Sequence, residues 1–117
     1  MKPAPIKPTV SFSAFECIDL RVGTITAVQD VPQSKKLQRL IVSFGDHTRV
    51  ILAGIKKERS NPQELEGRQA LFIVNLEPRP MAGEVSDGML VDAGYSDGIT
   101  PVLLIPESPV PDGTRAS

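Results

Sequence analysis

The chain has 117 residues, is 40% hydrophobic and 23% charged, and carries a formal net charge of −1. Such a chain buries roughly 65% of its unfolded surface, which suits one globular domain and excludes global disorder. A single cysteine (Cys17) and a single histidine (His47) exclude an intrachain disulfide and a four-ligand structural zinc site.

Other classes fall away as quickly. The longest apolar run is Ala70-Leu71-Phe72-Ile73-Val74, far short of the roughly 18 residues a membrane span needs. The start, MKPAPIKPTV, has no apolar h-region, so no secretory signal is expected. Nothing points to an oxidising compartment, and a cytoplasmic protein is expected. A catalytic triad would have to use His47, which sits in the turn-like Gly45-Asp46-His47-Thr48. There is no Gly-rich phosphate loop, so neither an enzyme nor a cofactor is expected.

The near-zero net charge hides an asymmetry. Residues 21–79 hold ten basic and six acidic side chains, a net +4, whereas residues 80–117 hold one basic and six acidic, a net −5. In residues 35–59, Lys35, Lys36, Arg39, Arg49, Lys56, Lys57 and Arg59 meet only Asp46 and Glu58. This is either a polyanion-binding face or a solvated surface balanced by acids brought near by folding.

In chain order, residues 1–11 form a proline-bearing arm, flexible or strapping, and residues 12–117 form a single domain. Ser13 to Glu16 fits a capping box with Ser13 as N-cap, opening a turn or two of helix. Leu20 to Val28 is rich in β-branched residues, and Gly23 within it marks a bend or a close backbone approach. After a loop over Val31 to Lys36, Leu37 to Phe44 forms a second strand with Leu40, Val42 and Phe44 on one face. Gly45-Asp46 turns the chain into a third strand, Thr48 to Ala53.

Asn61, Pro62 and Glu64 supply a cap, a first-turn proline and a capping-box acid for a short helix that Gly67 stops. Gln69 to Leu76 is nearly all apolar and is expected to be a central fourth strand. Gly88 to Ala93 is a fifth, Val102 to Ile105 a sixth short run, and Glu107 to Ser117 an irregular tail. Five main strands with a short helix between the third and fourth predict an all-β OB-fold, a five-stranded Greek-key barrel with N- and C-terminal extensions. Arg21, Arg39 and Arg49 lie on the first three strands, where a basic face would form.

Three segments carry a more specific signal. They are Asp19-Leu20-Arg21-Val22-Gly23-Thr24-Ile25, then Leu52-Ala53-Gly54-Ile55-Lys56-Lys57, then Asn75-Leu76-Glu77-Pro78-Arg79-Pro80-Met81-Ala82-Gly83 followed by Ser86-Asp87-Gly88-Met89. In this order and spacing the chain resembles the tRNA-binding domain family over about residues 12–115. That family includes the C-terminal appendage of bacterial methionyl-tRNA synthetases and its free-standing relatives. It also includes the C-terminal module of the endothelial monocyte-activating polypeptide precursor and the CsaA chaperone.

The resemblance implies an OB-fold barrel, a homodimer built through the extensions, and non-catalytic binding of tRNA by shape, alone or as a detached synthetase subunit. The matching positions are Asn75, Arg79, Met81, Ser86, Met89, Lys56 and Lys57, with Lys35, Lys36 and Arg39 as accompanying cations. An aminoacyl-tRNA synthetase is a possible partner. A CsaA-like chaperone that holds unfolded polypeptides is the alternative.

The chemistry is suitable. Lys and Arg displace condensed counterions from phosphates, Asn75 and Ser86 offer hydrogen bonds, and Met81 can pack on an unstacked base. Structural roles compete at several of these positions. Asn75 could satisfy backbone at a strand end, Met81 and Met89 could be core, and Ser86-Asp87-Gly88 could be a turn. Family tRNA binders usually carry a basic residue where this chain has Pro80, and often another where it has Ala82. Tyr95 is the one tyrosine and there is no tryptophan, so a stacking platform is expected to be poor.

Overall fold

The computed structural model describes all 117 residues. Its strands are β1 (Leu20–Asp30), β2 (Gln38–Ser43), β3 (Thr48–Ala53), β4 (Gln69–Ile73), β5 (Arg79–Met81), β6 (Glu84–Ser86), β7 (Met89–Leu90), β8 (Asp92–Ala93), β9 (Val102–Leu103) and β10 (Arg115–Ala116). A five-residue helix, α1 (Phe12–Glu16), precedes them, and single 3-10 turns cover Pro62–Leu65 and Tyr95–Asp97.

The main sheet runs β3-β2-β1-β4-β7, all antiparallel, with β10 added to the start of β1. Its ends nearly meet. The Asp87 N–H donates to the Val50 carbonyl at 2.9 Å and the Leu52 N–H to Ser86 Oγ at 3.0 Å, joining β3 to the chain entering β7. The result is a nearly closed five-stranded OB-fold barrel, as the element order predicts.

Alternation explains the core. Leu40, Val42 and Phe44 all turn inward beside Ile25, Ile51, Ala70 and Phe72. Gly23 lies where β1 crosses this core. A Cβ there would sit 2.7 Å from Val42 and 2.8 Å from Phe44, so the close-approach reading holds.

Several local expectations change. The N-cap of α1 is Ser11, whose Oγ accepts from the Ala14 N–H at 3.2 Å, and not Ser13. The element at Pro62 is one 3-10 turn, and Asn61 makes no side-chain cap. The fourth strand is interior as expected, paired with β1 on one edge and β7 on the other, but it ends at Ile73. The expected fifth strand is broken into β7 and β8.

The tail is not wholly irregular. Gln69 Nε2 donates to the Val110 carbonyl at 2.6 Å, Thr24 Oγ1 to Asp112 at 2.6 Å, and Gly113 N–H to the Val22 carbonyl at 2.8 Å. Those bonds guide the chain into β10. Polar side chains on β1 and β4 thus recruit a tail with no strand pattern of its own.

Candidate nucleic-acid interface

The sequence-predicted residues fall into two groups, those tied into the fold and those left open. Asn75, just beyond β4, is tied. Its Oδ1 accepts from the Asp19 N–H at 2.8 Å, and its Nδ2 donates to the Cys17 carbonyl at 2.7 Å. Both polar ends therefore anchor the corner between α1 and β1. Ser86 is buried, with Oγ accepting from Leu52 N–H and donating to the Gly88 carbonyl at 3.0 Å. Gly88 itself adopts φ +128, a conformation that favours glycine.

Two of the cations are tied as well. Lys56 Nζ donates to the carbonyls of Val31 and Ser34 at 3.1 and 2.7 Å and pairs with Asp30 at 2.5 Å. It pins the 31–36 loop to the segment after β3. Arg39 sends Nε and Nη2 to the two oxygens of Glu84, at 2.6 and 2.5 Å, and Nη1 to Gln29 at 3.1 Å. The bonds to Glu84 hold its carboxyl below the usual range and raise the Arg39 guanidinium above its own.

The other strand arginines follow suit. Arg21 pairs with Asp19 at 2.7 Å, lowering the Asp19 carboxyl. Arg49 donates to the Val74 carbonyl at 2.6 Å, to His47 Nε2 at 3.0 Å and to Asp87 at 3.4 Å. His47 also meets the Asp46 carboxylate at 2.6 Å. The expected row of open arginines across the first three strands is therefore a row of engaged ones. Folding brings acids from 80–117 back onto the basic middle, which is why charge density along the chain overstates the face.

Lys35, Lys36, Lys57 and Arg79 make none of the molecule's ion pairs and are exposed. Three of them, Lys36, Lys57 and Arg79, line one groove of about 630 Å3. Its floor includes Leu37, Leu52 and Ile55, and its walls carry Met81, Met89 and Tyr95, with Glu58 and Asp92 also present. Met81 packs against Val31, Leu37 and Leu52, while Met89 is 40% and Tyr95 63% exposed.

One wall is the β5–β6 hairpin, in which Met81 pairs with Glu84 around Ala82-Gly83. Both turn residues have positive φ, +48 and +81, the type I′ geometry that matches strand twist. Arg39 steadies this hairpin through Glu84, and Arg79 projects from it beside Pro80. No sequence pattern marks Tyr95, an isolated aromatic that opens the second 3-10 turn. Only the fold brings it to the groove.

Residues 20–115 match the family model described as "Putative tRNA binding domain". The chain belongs to this tRNA-binding domain family. It is 45% identical over 92 residues to the methionine–tRNA ligase of Chlorobium chlorochromatii, covering 79% of this chain and 13% of that protein. It is 40% identical over 103 residues to the Bacteroides fragilis ligase, covering 88% and 15%. The chain thus spans about a seventh of the length of these curated relatives.

Among solved structures it is similar to a MetRS-related protein from Pyrococcus horikoshii, with TM-score 0.86, 33% identity, and coverage of 95% of this chain and 100% of that one. The chaperone CsaA of Bacillus anthracis gives TM-score 0.82 and 33% identity, with coverage of 94% and 100%. This tRNA-binding domain is related both to the synthetase C-terminal region and to CsaA-like chaperones, and corresponds to a non-catalytic module. No cluster of three or more His, Cys, Asp or Glu side chains is placed to hold a metal ion. No helix is long and apolar enough to cross a membrane.

Proposed function

We propose that the protein is a shape-selective tRNA-binding module that works in the cytoplasm, free-standing or beside an aminoacyl-tRNA synthetase. The observation that carries this reading is the convergence of Lys36, Lys57 and Arg79, free of ion pairs, on one groove. Lys35 adjoins it in the chain. Such cations neutralise phosphates and release counterions, and folded RNA is recognised largely through phosphate, 2′-hydroxyl and shape. Of the residues expected from the resemblance, Lys35, Lys36, Lys57, Arg79, Met81 and Met89 make the contact surface in this reading. Lys56, Arg39, Asn75 and Ser86 hold that surface in position.

The module acts as a homodimer through its extensions. Phe12 is 73% exposed, and Phe15 and Ile18 lie beside it in the open. None of the five residues of α1 is buried. Apolar groups grouped this way on a short helix mark an interaction surface, and the proline-bearing arm of residues 1–11 is the strap that crosses to the second copy. Light scattering tests this, with a dimer mass expected for the native chain and a monomer for F12S/F15S.

The chaperone reading draws on the likeness to CsaA and on the apolar floor of the groove. Anisotropy titration separates the two, using labelled bulk tRNA, an unstructured RNA of equal length and an unfolded model polypeptide. Tight, salt-sensitive binding of tRNA over both controls is expected. Binding of the polypeptide alone overturns the tRNA reading.

A further inference from the structure

The groove has two chemistries. Lys36, Lys57 and Arg79 outnumber Glu58 and Asp92 around it, which suits phosphates, while most of its remaining lining is apolar, which phosphates do not use. Met89 and Tyr95 stay substantially exposed at its walls while Leu37, Leu52 and Ile55 close its floor. Its volume, about 630 Å3, falls within the roughly 300–1,000 Å3 of small-ligand sites. In a duplex the base faces are covered by stacking, so only an unpaired base can offer a π-face to such walls.

We propose that this groove is a subsite for one unpaired base of the bound RNA, stacked on Tyr95 and seated on Met81 and Met89, with flanking phosphates on Lys57 and Arg79. This rests on the tRNA reading and adds base contact to recognition by shape. The elements suit the task. Tyr95 is held at its backbone, where its N–H donates to Asp92 Oδ1 at 3.3 Å, while its ring remains free in the groove. A tyrosine ring loses little conformational entropy on contact because it has few rotatable bonds. The thioethers are polarisable and adapt to a flat ring. An apolar stretch of unfolded polypeptide fits the apolar lining but offers no phosphate to the excess of cations over Glu58 and Asp92.

The sequence supplies its own probe. Tyr95 is the one tyrosine and there is no tryptophan, so tyrosine emission reports this site alone. The full chain is titrated with a short RNA duplex bearing one unpaired 3′ adenosine nucleotide, and with the same duplex bearing an abasic nucleotide there, at matched absorbance. The adenosine RNA is expected to quench Tyr95 and to bind about fivefold tighter or more, and the abasic RNA to bind without quenching. Y95A should remove the affinity difference between the two RNAs.

Equal affinity and equal emission for the two RNAs overturn the base subsite and leave RNA binding intact. Failure of both RNAs to bind while bulk tRNA binds in the same buffer overturns the subsite alone, and failure of bulk tRNA as well overturns the tRNA reading with it. Quenching by an unfolded polypeptide with neither RNA bound assigns the groove to peptide and overturns the proposal.

Discussion

Arg39 on β2 and Glu84 on β6 form a bidentate pair, with nitrogen–oxygen distances of 2.6 and 2.5 Å. The Glu84 carboxylate occupies the guanidinium fork that a phosphate would otherwise take. The pair also fixes the hairpin that carries Arg79 and Met81. In the proposed tRNA reading, Arg39 is therefore withheld from RNA by the molecule's own acid.

Replacing Glu84 with Gln keeps the side chain's size and releases that charge. E84Q should bind tRNA more tightly, with the slope of log affinity against log salt steeper by about one. An anisotropy salt series measures this. An unchanged slope would show that Arg39 lies outside the RNA footprint.

The same pair gives stability a pH dependence. Hydrogen bonding from Arg39 lowers the Glu84 carboxyl below its ordinary value of 4.5. A carboxylate depressed in the folded state contributes fully above its unfolded value, and the contribution is lost as pH falls through the folded one. The urea midpoint should thus fall below about pH 4.5, and less steeply in E84Q. Asp19, lowered by Arg21, and Asp46, lowered by His47, act with the same sign, so the variant keeps part of the slope.

Ala82 sits at φ +48 in the β5–β6 turn, where an L side chain costs about 1–2 kcal/mol. Glycine removes that strain but loses roughly 0.4–1 kcal/mol through its freer unfolded chain. A82G should gain about 0.5–1 kcal/mol. Urea unfolding with an unchanged m value is the check, and a loss of stability would contradict the strain.

Ser86 closes the barrel through the Leu52 N–H. S86A leaves that buried donor unpaired, at about 1–3 kcal/mol. Denaturant unfolding should show this loss, while the salt slope for tRNA stays unchanged. A changed slope would give Ser86 a place in the RNA contact.

Much of the fold is legible in the sequence because it rests on local pattern. Alternation at Leu40, Val42 and Phe44, the Gly45-Asp46 turn, and Gly23 inside an apolar strand each follow from short-range chemistry. The strand β10 is hidden because its pairing depends on Gln69 and Thr24, far away in the chain. The cap moves from Ser13 to Ser11 because nearby serines offer the same signal in two registers.

The candidate site is legible in part. Lys36, Lys57, Arg79, Met81 and Met89 reach one groove as a group. The engagement of Arg39 by Glu84, 45 positions away, and of Asn75 by the α1–β1 corner is a tertiary fact. Tyr95 carries no local pattern at all, and it reaches the groove in the 3-10 turn that follows β8.

In the proposed tRNA reading, Lys36, Lys57 and Arg79 are the phosphate contacts on which binding depends most. The direct test is tRNA anisotropy across a salt series for the native chain and for K36A/K57A/R79A. Weaker binding is expected for the variant, with a slope shallower by about 2 to 3, at roughly 0.9 for each phosphate left without its cation. Unchanged affinity and slope, in a variant that unfolds at the native urea midpoint, would contradict this role.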